Sequence, residues 1–203
     1  MKPPNRRALQ VLTVALSAYY AIWACAPAAS FRPITHDLDL PDEVGLGGTF
    51  VGAPGGVPCY GPGGGFCGPS AAVWIQRRTT ERFSVGGTIF AGATTFLGGG
   101  LQVRYHLLET DRWRLGADAE AGFLWGAVGL PVSLRLVDDL FLSATPSVGL
   151  RIAQPARVPL GIAWGVTDTF WLQAEVARGF YLIPGYVSED SSWSASLAAS
   201  KRF

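Results

Sequence analysis

Beyond residue 43 the chain alternates at every second position between large apolar residues and small, polar or charged ones. It does so in about ten successive segments of ten to thirteen residues. Ser191 to Phe203 shows the pattern plainly: Trp193, Ala195, Leu197, Ala199 and Phe203 share one face, and Ser192, Ser194, Ser196, Ser200 and Arg202 share the other. Phe170 to Leu182 repeats it, with Phe170, Leu172, Ala174, Val176, Phe180 and Leu182 opposite Gln173, Glu175, Ala177, Gly179 and Tyr181. The same split runs through Trp113 to Trp125 and Leu140 to Ile152. A period of two over so many segments predicts an all-β chain.

The connections add an order to those strands. Tight polar turns fall near Thr79 to Arg82, Glu109 to Arg112, Asp138-Asp139 and Asp168. Between them come longer links rich in Gly or Pro: Ala53 to Pro69, Phe96 to Gly100, Gly126 to Leu130, Gln154 to Arg157 and Ile183 to Asp190. Short and long alternate without exception, so all tight turns lie on one side and all loose loops on the other. The expected fold is a ten-stranded antiparallel up-and-down β-barrel with both ends on the tight-turn side.

Composition decides which face is outside. The chain is 49% hydrophobic and only 15% charged, with 26 Gly, where ordinary domains carry about 25% charge. A water-soluble barrel would show water a wall with few charges and crowd Leu, Phe and Trp into its lumen. A transmembrane barrel puts the apolar band against lipid and leaves no backbone edge unpaired there. Aromatics also gather where strands end: Phe83, Trp113, Phe141, Phe170 and Phe203 beside the tight turns, and Phe50, Phe123, Trp125, Trp164, Phe180 and Trp193 toward the loops. Two such girdles suit two membrane interfaces. With a formal net charge of +1 and basic residues scattered singly, the footprint of a nucleic-acid binder is missing.

In strand length, turn alternation, girdles and the terminal Phe203, residues 44–203 resemble the small bacterial outer-membrane β-barrels. The resemblance implies an outer-membrane location with both termini periplasmic, outer-membrane lipids around the wall, and recognition of the last strand by the barrel assembly machinery. Lys201 departs from the alternation that such last strands carry.

Ahead of the barrel, Lys2, Arg6 and Arg7 precede an uncharged apolar stretch from Ala8 to Ala24, the pattern of a signal peptide over residues 1–24. Ile22-Trp23-Ala24-Cys25 resembles a bacterial lipobox, with Trp23 where a small residue is usual. The resemblance makes Cys25 a candidate lipidation site; ordinary cleavage near Ala28 or Ala29 would instead remove it. Residues 25–43, aperiodic and containing His36, read as a periplasmic tether. In an exported chain, Cys59 and Cys67 are an even pair closing a short Gly/Pro loop, which predicts a disulfide.

Enzymes of this general class resemble lipid A acyltransferases, lipid A deacylases or omptin-like proteases, which work at the outer rim with a His beside Ser, Asp or Glu. The two histidines here, His36 and His106, fall in the tether and near a tight turn. The sequence therefore predicts no catalytic site, and it offers no ligand spacing for a metal or cofactor. What remains is the lumen. Arg78, Arg104, Arg114, Asp118, Glu120, Arg135, Arg151, Glu175 and Arg202 fall on the inward face, a mixed set able to cross-link a narrow or plugged interior. Arg104 and Glu175, on the fourth and ninth of ten strands, are expected to pair across the barrel; Asp118 and Glu120, on the strand beside Arg104, compete for its guanidinium, and Arg135 is the alternative partner for Glu175. The sequence points to a structural, adhesive or surface-binding function, toward an unknown surface ligand; the first alternative is a small pore for polar solutes, and the second a lipid A-modifying or proteolytic outer-membrane enzyme.

Overall fold

The computed structural model describes residues 41–52, 68–92, 98–122, 125–150, 156–180, 182–183, 186–187 and 192–203. The chain is a closed antiparallel β-barrel of ten staves. Five staves are the single strands β1 (Asp42–Gly52), β2 (Gly68–Arg78), β3 (Phe83–Gly92), β4 (Gly98–Glu109) and β5 (Trp113–Gly122). Two more are broken in the middle: β6 (Gly126–Gly129) continues as β7 (Val132–Val137), and β8 (Leu140–Ala144) as β9 (Ser147–Gly149). Then follow β10 (Ala156–Gly165) and β11 (Phe170–Phe180). A separate two-stranded ladder of β12 (Leu182–Ile183) and β13 (Tyr186–Val187) precedes the last stave, β14 (Ser192–Arg202).

Each stave pairs with its sequence neighbours, and β14 returns to pair with β1 along ten residues, from Glu43 opposite Arg202 to Gly52 opposite Trp193. Asp42 and Phe203 exchange backbone hydrogen bonds of 3.2 and 3.0 Å at the end of that seam. The staves are strongly staggered. A walk across paired residues from Glu109, at the tight-turn end of β4, passes Arg114, Ser133, Ser143, Gly161, Glu175, Ser196, Thr49 and Ser70 and arrives at Gly92, the loop end of β3. Such stagger accompanies the strand tilt that closes a barrel.

Proline causes the two breaks. Pro131 and Pro146 have no N–H to give to the ladder, so each strand is interrupted there. The wall stays stitched: Gly116 N–H donates to the Pro131 carbonyl at 2.8 Å and Leu130 N–H to the Pro146 carbonyl at 2.9 Å.

Three of the tight turns share a local device. Thr80, Thr110 and Thr167 each accept, on their side-chain oxygen, the backbone N–H of the aromatic residue three positions on: Phe83 at 3.1 Å, Trp113 at 2.9 Å and Phe170 at 3.1 Å. A hydroxyl folded back onto its own turn is a recurrent turn former. It delivers each aromatic residue, outward-facing, to the first position of the next strand.

The outward face is the apolar one: Leu46, Ile89, Leu101 and Leu197 are 63–73% exposed. Phe83, Trp113, Phe170 and Phe203 are exposed at the tight-turn rim, and Phe50 and Trp193 at the loop rim. Trp164 is exposed too, but it lies one residue before the end of β10, so it belongs to the tight-turn girdle and not to the loop one. Phe141 and Trp125, expected in the girdles, turn inward and are buried. The side chains of Phe123 and Phe180 lie outside the described residues.

Inside, large rings lie on glycines of the neighbouring stave. A Cβ on Gly45 would stand 2.1 Å from the Trp74 ring, and one on Gly122 1.9 Å from Trp125 Nε1. Hydrogen at these positions is what admits an indole against the wall.

Candidate functional site

The inward face is where the charges lie. β1 starts at Asp42, so Asp42 and Glu43, read from sequence as the end of the tether, belong to the barrel. Glu43 is fully buried and lies 3.4 Å from Arg202 across the seam.

In the tight-turn half, Arg78 on β2 forks onto Glu109 on β4, with Nη1–Oε1 3.0 Å and Nη2–Oε2 2.6 Å, and also donates to the Glu81 carbonyl. Both Glu109 oxygens are thus engaged in a charge-assisted fork. Beside it, His106 Nε2 is 2.8 Å from Ser84 Oγ, and His106 Nδ1 is 3.1 Å from Glu109 Oε1.

The structure therefore brings a Ser, a His and a Glu into the order of a hydrolytic triad, contrary to the expectation that none could assemble. Bulk alternation conceals such a cluster because its members lie on two strands and beside a turn. Its setting is not that of an active site. Ser84 has no exposed surface, the carboxylate is already held by Arg78, and His106 Nδ1 makes no hydrogen bond of good geometry. A nucleophile needs a substrate beside it and a base oriented by its third partner. The cluster instead ties β2, β3 and β4 together at the tight-turn end.

Next along β4, Arg104 Nε and Nη2 donate to Asp118 Oδ1 and Oδ2 at 2.7 and 2.8 Å, and Gln102 Nε2 adds a bond of 2.9 Å to Oδ2. Arg104 and Asp118 are direct register partners on β4 and β5, only about 4.8 Å apart as adjacent strands. Glu120 faces inward beside Gln102 on the same pair of strands.

The cross-barrel pair expected between Arg104 and Glu175 does not form, because a guanidinium is met sooner by the neighbouring stave than by the far wall. Glu175 finds its nearest cation at 4.0 Å in Arg157 on β10, which also donates to Ser194 at 3.3 Å. The sequence places Arg157 in a loop, but β10 starts at Ala156 and puts it in the lumen. Arg135, the alternative partner, sits over the Phe141 ring at 5.2 Å, and Arg114 lies over the same ring at 5.7 Å. Phe141 packs against Trp171 with centroids 5.7 Å apart, and Arg202 covers Trp171 at 4.3 Å. Arginine and aromatic rings thus stack across this end of the lumen.

On each of the ten staves at least one inward side chain of this half is buried, from Glu43 on β1 through Arg104 on β4 and Ser133 on β7 to Arg202 on β14. Toward the loops the filling changes to rings, with Phe90 edge-on to Trp125 at 6.0 Å, and Thr49 bonds Ser196 at 3.0 Å midway. Among the described residues no group of three or more His, Cys, Asp or Glu residues could hold a metal ion. Cys25, Cys59, Cys67, His36 and Arg151 lie outside the described residues.

No protein family matches the chain, and no curated protein does. Solved structures similar to it include the KdgM porin in complex with disordered oligogalacturonate, at 10% identity and a TM-score of 0.43, covering 79% of this chain and 99% of that one. The N-terminal β-barrel domain of Pseudomonas aeruginosa OprF is 14% identical with a TM-score of 0.35, covering 79% and 97%. Neisserial surface protein A is 14% identical with a TM-score of 0.36, covering 80% and 97%. At these identities and scores the role of the chain has to be argued from its own residues.

Proposed function

We propose that the chain is a bacterial outer-membrane barrel whose lumen is closed to solutes and whose role is structural or surface-binding, exercised from the loop side toward an unidentified surface ligand. Two features of the barrel support this. The belt of exposed Leu, Ile, Val and aromatic side chains circles a wall that has no open edge, which lipid solvates and water does not. The observation that carries the closed lumen is the burial of inward side chains on all ten staves at the tight-turn end, where water does not reach Arg104 or Ser84. Ten staves enclose only a little more than the eight that side chains can fill.

On this reading residues 1–24 are the export leader and Cys25 to Pro41 the periplasmic tether, with lipid on Cys25. Cys59 and Cys67 form a disulfide on the outer side. The wall contacts outer-membrane lipids, and the last stave is the element offered to the assembly machinery.

Planar-bilayer recording of the purified full chain tests the closed lumen. The expected record is a silent membrane across a range of voltages. Steady single-channel steps that follow protein concentration would make the chain a small pore instead.

A further inference from the structure

The lumenal carboxylates of the described residues are largely committed. Glu109 is held by Arg78, Asp118 by Arg104 and Gln102; Glu43 lies beside Arg202 and Glu175 beside Arg157. Arg135 has none of these. Among the described residues no ion pair reaches it, and its Nε is buried without an acceptor. What lies beside it is the face of Phe141, shared with a second guanidinium, Arg114. A ring face attracts a cation but does not neutralise it, and two guanidiniums on one ring repel each other.

Two buried polar groups close to that ring make no hydrogen bond. Ser133 is two residues from Arg135 on the same face of β7 and is the register partner of Arg114. It is 1% exposed, and its Oγ has no hydrogen-bond partner. Trp171, against Phe141, has a buried indole N–H that is likewise without an acceptor. Glu109, the register partner of Arg114, is already forked by Arg78, and Glu120 lies six residues along β5 from Arg114, about 20 Å at the rise of a strand. Asp138 and Asp139, in the adjoining turn, are exposed. Arg114 and Arg135 themselves are half-buried and lie near the tight-turn ends of β5 and β7, while Ser133 is buried.

Buried donors without acceptors are costly unless something accepts from them, and paired arginines suit the forked geometry of an oxyanion. We infer that Arg135, Arg114 and Ser133 form a binding site for a small oxyanion, phosphate or sulfate in class, entered from the tight-turn side. This goes beyond the structural role proposed above, since a closed barrel needs no ligand there.

The test is calorimetric titration of the full chain, folded in detergent, with inorganic phosphate and with sulfate in a chloride background. Saturable binding of both anions is expected. Arg135→Gln should weaken it by about tenfold or more, as loss of a charged hydrogen bond does. Arg135→Lys should restore part of the affinity, since the charge returns without the fork. Arg77→Gln, which removes an outward arginine at the same end of the barrel, should leave it unchanged. Gel mobility before and after boiling shows which variants have folded. The inference is overturned if the parent chain gives no saturable heat, or if folded Arg135→Gln and Arg77→Gln bind phosphate alike. Neither result bears on bilayer conductance, so this inference and the closed lumen fail separately.

Discussion

Asp118→Ala is expected to destabilise the barrel by about 3–5 kcal/mol, the range found when one partner of a buried ion pair is removed. Asp118 accepts two bonds from Arg104 and one from Gln102, and Arg104 has no exposed surface. Alanine leaves that guanidinium in a space water does not enter, with its strongest acceptor gone. Replacing both partners together, Arg104→Met with Asp118→Leu, should recover most of the loss, because the penalty arises from the stranded charge and not from the missing attraction. Urea unfolding in detergent or lipid vesicles measures both. A loss below about 1 kcal/mol for Asp118→Ala would mean that water solvates Arg104 as it does an exposed pair, and the lumen would then be open at that level.

The second large effect is on the other face. Leu197 is the middle residue of β14, 70% exposed, flanked in register by Gly48 and Ala174. If that face meets hydrocarbon, Leu197→Arg should cost about 2–4 kcal/mol in vesicles, as cationic residues do at the bilayer midplane. Arginine in place of Val137, equally outward but next to the tight turn at Asp138-Asp139, should cost only about 0–1 kcal/mol. The dependence on depth is the informative part. On a barrel surrounded by water, both substitutions would be close to neutral.

The staves, their order and their two faces were legible because a period of two survives along Phe170–Phe180 and Ser192–Arg202, where large and small residues alternate cleanly. It failed where apolar residues run together. Val73-Trp74-Ile75 and Leu140-Phe141-Leu142 contain no polar residue to mark a face, and in both it is the central ring that turns inward. Trp125 was misread for a different reason: Gly100 and Gly122 leave a gap in the wall that only a ring fills, and glycine carries no polarity to announce it.

Alternation puts Arg104, Asp118, Glu120, Arg135 and Glu175 on one face and makes Asp118 a competitor for Arg104, but it leaves out Glu43, Glu109 and Arg157, which join the lumenal pairs. Partnership depends on stagger, and stagger is set by bulges that single-residue patterns hide, such as the shifts near Leu107 and Leu136. Heights estimated by counting from the turns therefore paired Arg104 with Glu175. The register gives Arg104 to Asp118, and it brings Arg157 near Glu175 from a segment read as loop. The Ser84, His106 and Glu109 cluster was hidden for the same reason, since Ser84 stands opposite Arg104 and reaches His106 only on the diagonal.

The most direct test of whether the apolar face meets lipid is where the full chain resides when expressed in a Gram-negative cell. Fractionation should recover it with the outer membrane, resistant to alkaline extraction, and migrating differently on a detergent gel before and after boiling, as a closed barrel does. Recovery as a soluble periplasmic protein with unchanged migration would contradict the account at its base.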